Sequence, residues 1–247
     1  ALGRHLGFPV SELHHLGMIG LLLDLGKTKL PRALLEKRDK LTAAEFELVK
    51  RHVEYSIEML SSSATIHPII LEGIAQHHER LNGRGYPKGL SGDGIGIYGR
   101  MAGIADCFAA LTSPRPYTEA ISPNDALSNL YESSGEYFHA PLIERLVHAI
   151  GVFPVGSLVE LSTDEVGIVI RHNRVRRLLP TVLVVTGADK TPLDRPLEID
   201  LLNQQLRGSN APIRILRGLP ADAFGLDTSA YYIGPAPMEK PGSPQHG

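Results

Sequence analysis

One switch in hydrophobic spacing constrains this chain more than any other feature. Up to about residue 150 the apolar residues recur every three or four positions; from Gly151 onward they fall in short β-branched runs. Leu13, Leu16, Ile19 and Leu22–Leu23 line one face of a predicted helix that Ser11 can cap and Gly26 can stop, with Pro31 beyond it. Thr42 and Glu45 have capping-box spacing and open a helix predicted to run to about Leu60, with Phe46, Val49, Val53, Ile57 and Leu60 as its inner stripe. Pro68 suits the first turn of a third helix, with Ile70, Ile74 and Leu81 on one face. After a loop carrying Gly83, Gly85, Gly89, Gly92, Gly94 and Gly96, a helix is predicted on Ile97, Met101, Ile104, Phe108 and Leu111. Ser122 opens the next, and 141–150 gives the last. Val155–Leu161, Val166–Arg171 and Thr181–Thr186 read as strands between polar, Gly or Pro turns. The expected fold class is therefore mainly α, with a helical unit over 1–150, a small β-rich appendage over 151–233 and a disordered Pro/Gly-rich tail over 234–247.

Composition narrows the function classes. The formal net charge of -2 gives no global footprint for nucleic acid, so DNA is not an expected partner and an acidic ligand must meet a local cluster. A single cysteine, Cys107, excludes an internal disulfide and a cysteine-based zinc site, and agrees with a reducing compartment. No apolar run approaches the ~18 residues of a membrane span. The chain opens on Ala1 rather than Met and carries no signal peptide, which reads as the edge of a longer protein.

Asp24, His52, His77, His78 and Asp106 are the candidate metal ligands of the helical part. Imidazole suits transition metals, and a carboxylate can bridge two of them. His77 and His78 are read as neighbours on a helix, diverging by roughly 100° but both able to reach an ion beside it. Spacing alone leaves open whether these are ligands or ordinary packed residues, because the segments that carry them are far apart in the chain.

A longer pattern goes further. His77-His78-Glu79-Arg80-Leu81-Asn82-Gly83-Arg84-Gly85-Tyr86-Pro87 resembles the HHE…GYP motif of HD-GYP domains. Leu23-Asp24-Leu25-Gly26-Lys27 sits where that family has His-Asp-x-Gly-Lys, and 105–117 resembles its ADxxDALTSxRPY. The entry to the β part, Phe153-Pro154-Val155-Gly156-Ser157-Leu158-Val159, is also similar to the family's. The resemblance covers residues 1–160 and implies an HD-superfamily helical domain acting on cyclic di-GMP, in the cytoplasm. It implies metal roles for Asp24, His52, His77, His78 and Asp106, a catalytic role for Asp24 and Lys27, and substrate contacts from Lys27, Tyr86 and Arg115. The implied cofactor is a divalent transition metal (Fe, Mn, Zn or Ni) at one well-formed site. The chemistry is understandable: clustered cations neutralise an anionic phosphodiester and lower the pKa of bound water.

The chain also departs from the family. Leu23 replaces the motif histidine, Ala109 the second aspartate of ADxxD, and Thr118 a basic residue that often follows RPY. The family's further ligands on an upstream helix would precede Ala1. These departures imply an impaired or inactive phosphodiesterase; the alternative is a non-catalytic cyclic di-GMP-binding or interaction module, with a diguanylate cyclase domain or another signalling protein as partner. Cys107 reads as a small apolar residue. Arg171, Arg174, Arg176 and Arg177 read as a solvated turn.

Overall fold

The computed structural model describes residues 1–63, 65–114, 119–173, 176–203, 212–226, 228 and 231. Its helical part comprises α1 (Leu2–His5), α2 (Val10–Leu22), α3 (Arg32–Leu35), α4 (Ala43–Lys50), α5 (His52–Ser61), α6 (Pro68–Gln76), α7 (Ile97–Thr112), α8 (Pro123–Glu132) and α9 (Ala140–Ile150). Local signals set several of these boundaries. Thr42 and Glu45 form the capping box that opens α4. Pro68 occupies the first turn of α6, where its missing N–H would have no partner anyway. The Ser122 hydroxyl accepts from the Asp125 N–H at the start of α8.

Two apolar clusters hold the helices together. Ile19, Leu23, Leu60, Ile70, Ile74, Tyr98 and Ala102 join α2, α5, α6 and α7. Met101, Ile104, Leu127, Leu130, Ile143 and Leu146 join α7 to α8 and α9. No helix among the described residues is long and apolar enough to cross a membrane.

The helices differ from expectation in instructive ways. Pro9, not Ser11, stands at the N-cap of α2, its extended backbone leading the chain straight into Val10. The helix predicted from Thr42 to Leu60 is two segments that meet at Arg51. That joint rotates the first segment's face outward, so Phe46 is exposed while Val53 and Leu60 remain buried. α6 ends at Gln76, leaving His77 as its C-cap and Leu81 beyond the helix. Ile97 is exposed and Ile95, before α7, takes the buried place.

After Gly151 the chain forms one antiparallel sheet in the order β4-β3-β2-β1-β5. The strands are β1 (Leu158–Leu161), β2 (Val166–Arg171), β3 (Thr181–Thr186), β4 (Pro192–Asp200) and β5 (Ile215–Leu219). The first expected strand begins three residues later than read, and β4 and β5 were not foreseen. Val159, Leu161, Val169, Val182 and Val184 form the core of one face, and Leu158, Val166, Ile168 and Val185 that of the other. The expected tail over 234–247, together with Arg115, Thr118 and Arg174, lies outside the described residues.

Candidate metal centre

His52 opens α5 and His77 closes α6, and both rings are almost fully buried. Each is fixed in the same way. His52 Nδ1 donates to the Val49 carbonyl at 2.7 Å, and His77 Nδ1 donates to the Ile74 carbonyl at 2.6 Å. A carbonyl can only accept, so the proton of each neutral ring sits on Nδ1. The Nε2 lone pairs are thereby aimed into the site, and neither has a hydrogen-bond partner.

Asp24 faces them from the turn before Leu25–Lys29. Its Oδ2 accepts from Lys27 Nζ at 2.6 Å. Its Oδ1 is buried without a hydrogen-bond partner, 3.4 Å from His52 Nε2. A lone pair and a carboxylate oxygen at that separation repel unless a cation or proton lies between them. Protons are disfavoured there. Burial pushes His77 down to about 4, lowers His52, and pushes His78 far down with help from the charges of His77 and His52. Ligand atoms of Asp24, His52, His77 and His78 all lie within 4.8 Å of one another and could hold a metal ion. Three imidazole nitrogens and one carboxylate oxygen form a donor set for a divalent transition metal, and the orphaned buried lone pairs fit that group.

His77 and His78 lie at and just past the end of α6, not within a helix as the sequence suggested. Asp106 lies on α7 beside this set, its Oδ2 3.9 Å from His78 Nδ1. Leu23 is 7% exposed and packs in the cluster of Ile19, Ile70 and Ile74.

Two devices position the ligands, and sequence reading missed both. The first is Ser56, fully buried on α5. Its hydroxyl accepts from the Gly26 N–H at 2.8 Å and donates to the Leu23 carbonyl at 3.0 Å, stapling the Asp24 turn to the helix of His52. A Cβ at Gly26 would lie 2.0 Å from the His52 carbonyl oxygen, so only glycine admits this approach. The second is Glu79, 4% exposed. Its two carboxylate oxygens accept from the N–H groups of Lys88 and Leu90, each at 2.8 Å, and gather the glycine-rich loop around the His pair. The Arg80 guanidinium donates to the His77 and Glu79 carbonyls and lies over the Phe138 ring. A carboxylate directly after two histidines was the available signal for the second device; a lone serine gave little for the first.

The loop so held lays Tyr86 flat on His78, with ring centroids 4.5 Å apart at 25°. Burial raises the Tyr86 hydroxyl well above the ordinary phenol range, so it stays protonated. Lys27 and Tyr86 thus border the cluster, while Arg115 falls outside the described residues. Ala109 is exposed on α7, and Cys107 packs as a partly buried residue against the α7–α9 core.

The family described as HD domain matches residues 1–142. The chain is 35% identical over 202 residues to cyclic di-GMP phosphodiesterase PA4108 of Pseudomonas aeruginosa, covering 81% of this chain and 48% of that protein. It is 36% identical over 142 residues to 3'3'-cGAMP-specific phosphodiesterase 2 of Vibrio cholerae, covering 57% of this chain and 27% of the relative. The chain therefore spans half or less of the length of these relatives. Among solved structures, Bd1817, an HDG"Y"P protein from Bdellovibrio bacteriovorus, superposes with a TM-score of 0.50 at 21% identity, covering 60% of this chain and 47% of that one.

Proposed function

The chain belongs to the HD-domain family, in its HD-GYP branch, and on that footing we propose that it is a metal-dependent phosphodiesterase domain for cyclic di-GMP with weakened turnover. The observation that carries the reading is the set of buried, partnerless lone pairs on His52 Nε2, His77 Nε2 and Asp24 Oδ1, which converge on one point. Asp24, His52, His77 and His78 would hold one divalent transition metal, which when bound lowers the pKa of water and neutralises phosphate charge. In the hydrolysis, water oxygen adds to phosphorus, one bond from phosphorus to a ribose oxygen breaks, and that oxygen takes up a proton. Asp24 bridges the centre to Lys27, whose ammonium stands beside the cluster to meet an anionic diester. Arg115 and Tyr86 are assigned the remaining substrate contacts, and Asp106 the edge of the site toward a second ion.

Turnover is weakened because the second ion has little to hold it. Leu23 packs in the core where the family supplies an imidazole, and Ala109 supplies no carboxylate. The same two residues support a second reading, in which the domain holds a cyclic dinucleotide, or a signalling partner such as a diguanylate cyclase domain, without cleaving it.

Protein purified without chelator should contain about one transition-metal ion per chain by elemental analysis. With Mn, Fe, Zn or Ni supplied, it should open cyclic di-GMP slowly, and His77→Ala should abolish both metal and turnover. Binding of cyclic di-GMP without any product would select the second reading. Metal-free protein that neither binds nor cleaves the nucleotide would sink both.

A further inference from the structure

Phe46 has the spacing of a core residue but is 43% exposed. It stands on α4 with its ring plane at 82° to that of Tyr86 and the centroids 6.2 Å apart. Tyr86 has one face against His78, so its ring and that of Phe46 make a near-perpendicular corner beside the ligand histidines. Lys50, one helical turn beyond Phe46, places its ammonium 4.9 Å from the Phe46 centroid and 5.5 Å from that of Tyr86. The two acidic residues of α4 are already engaged: Glu45 with Lys37 and the Thr42 cap, Glu47 with Lys50. The corner thus brings two aromatic rings together beside the ligand histidines, with the Glu47-paired Lys50 ammonium against both.

We propose that Phe46, supported by Tyr86 and Lys50, is a stacking platform for a purine base of the nucleotide whose phosphate meets the metal cluster. This deepens the cyclic dinucleotide reading above and rests on it. A nucleotide is the ligand that combines a flat π face with a negative charge, and the corner presents a partner for each at adjoining positions. Stacking accepts any base because every base has a π face. The platform therefore contributes affinity without choosing guanine over adenine, and that choice falls to other contacts.

The test compares two probes that differ only in the base: GMP and ribose 5-phosphate, titrated calorimetrically into the metal-loaded full chain. Wild type should bind GMP more tightly. Phe46→Leu keeps an apolar contact with Tyr86 but removes the π face. It should weaken GMP binding by about 5- to 150-fold, the span of one base–aromatic stack, while ribose 5-phosphate binding and metal content stay unchanged. Phe46→Trp should preserve the advantage of GMP. If Phe46→Leu leaves that advantage intact, or wild type binds both probes equally, the platform is wrong and the phosphodiesterase reading is untouched. If wild type binds neither GMP nor cyclic di-GMP, both fall together.

Discussion

Replacing Ser56 with alanine should separate the two halves of the metal centre. The side chain is fully buried and makes two hydrogen bonds, one from the Gly26 N–H and one to the Leu23 carbonyl. Alanine fills the same space without either bond, so the cavity left is small. The loss falls on two main-chain groups near the site. A buried group stripped of its partner costs about 1–3 kcal/mol, and two such groups give about 2–6 kcal/mol before relaxation. Partial relaxation of the turn at Leu25–Lys29 favours the lower half, about 2–4 kcal/mol. Because that turn carries Asp24 while α5 carries His52, metal affinity should drop as well. Urea unfolding of chelator-treated wild type and Ser56→Ala, followed by circular dichroism, measures the first effect; a competitive metal titration measures the second. A stability change below about 1 kcal/mol, with metal affinity unchanged, would refute the staple.

Glu79→Gln should loosen the glycine-rich loop, because an amide cannot present two acceptor oxygens to the N–H groups of Lys88 and Leu90; hydrogen exchange at those two amides should rise severalfold, and unchanged protection would count against the clamp. Chelated protein should lose stability as pH falls from about 6.5 toward 4: His77 has its pKa depressed from 6.5 to about 4 by burial, so the unfolded chain takes up the proton first. The contribution of His77 is fully present above pH 6.5 and amounts to about 3 kcal/mol at ~1.4 kcal/mol per pH unit; denaturant midpoints that stay flat across that window, or that fall equally in His77→Gln, would contradict it.

What the sequence made legible was whatever a few adjacent residues decide. Thr42 with Glu45, Pro68 and Ser122 act within one turn of their own helix, and each begins an element where it was read. The ligand residues were legible as types and, through the motif, as a set. Their convergence was not, since no local rule brings the Asp24 turn, α5 and the end of α6 together. Phe46 was misread because periodicity assumes one continuous helix, and the joint at Arg51 breaks the phase. β4 escaped notice because Pro192, Asp194, Arg195 and Pro196 spoil the β-branched pattern, which an edge strand tolerates. Ser56 and Glu79 are polar groups whose partners are main-chain atoms, and such partners leave no trace in side-chain spacing.

The sheet grips the helical part at several places. At β5, a side chain on Gly218 would strike the Ser122 hydroxyl that caps α8, at 2.9 Å. A side chain on Gly151, the C-cap of α9, would strike the His172 ring just past β2 at 2.7 Å, and the Arg177 guanidinium donates to the carbonyl of His148 in α9. Phe108 and Thr112 of α7 line a 250 Å³ hollow together with Ser157, Leu158 and Leu219. The switch in spacing at Gly151 therefore marks a change of architecture within a packed seam. A chain cut there would leave α7, the helix of Asp106, with a wet face at its C-terminal end, just ahead of the segment that holds Arg115.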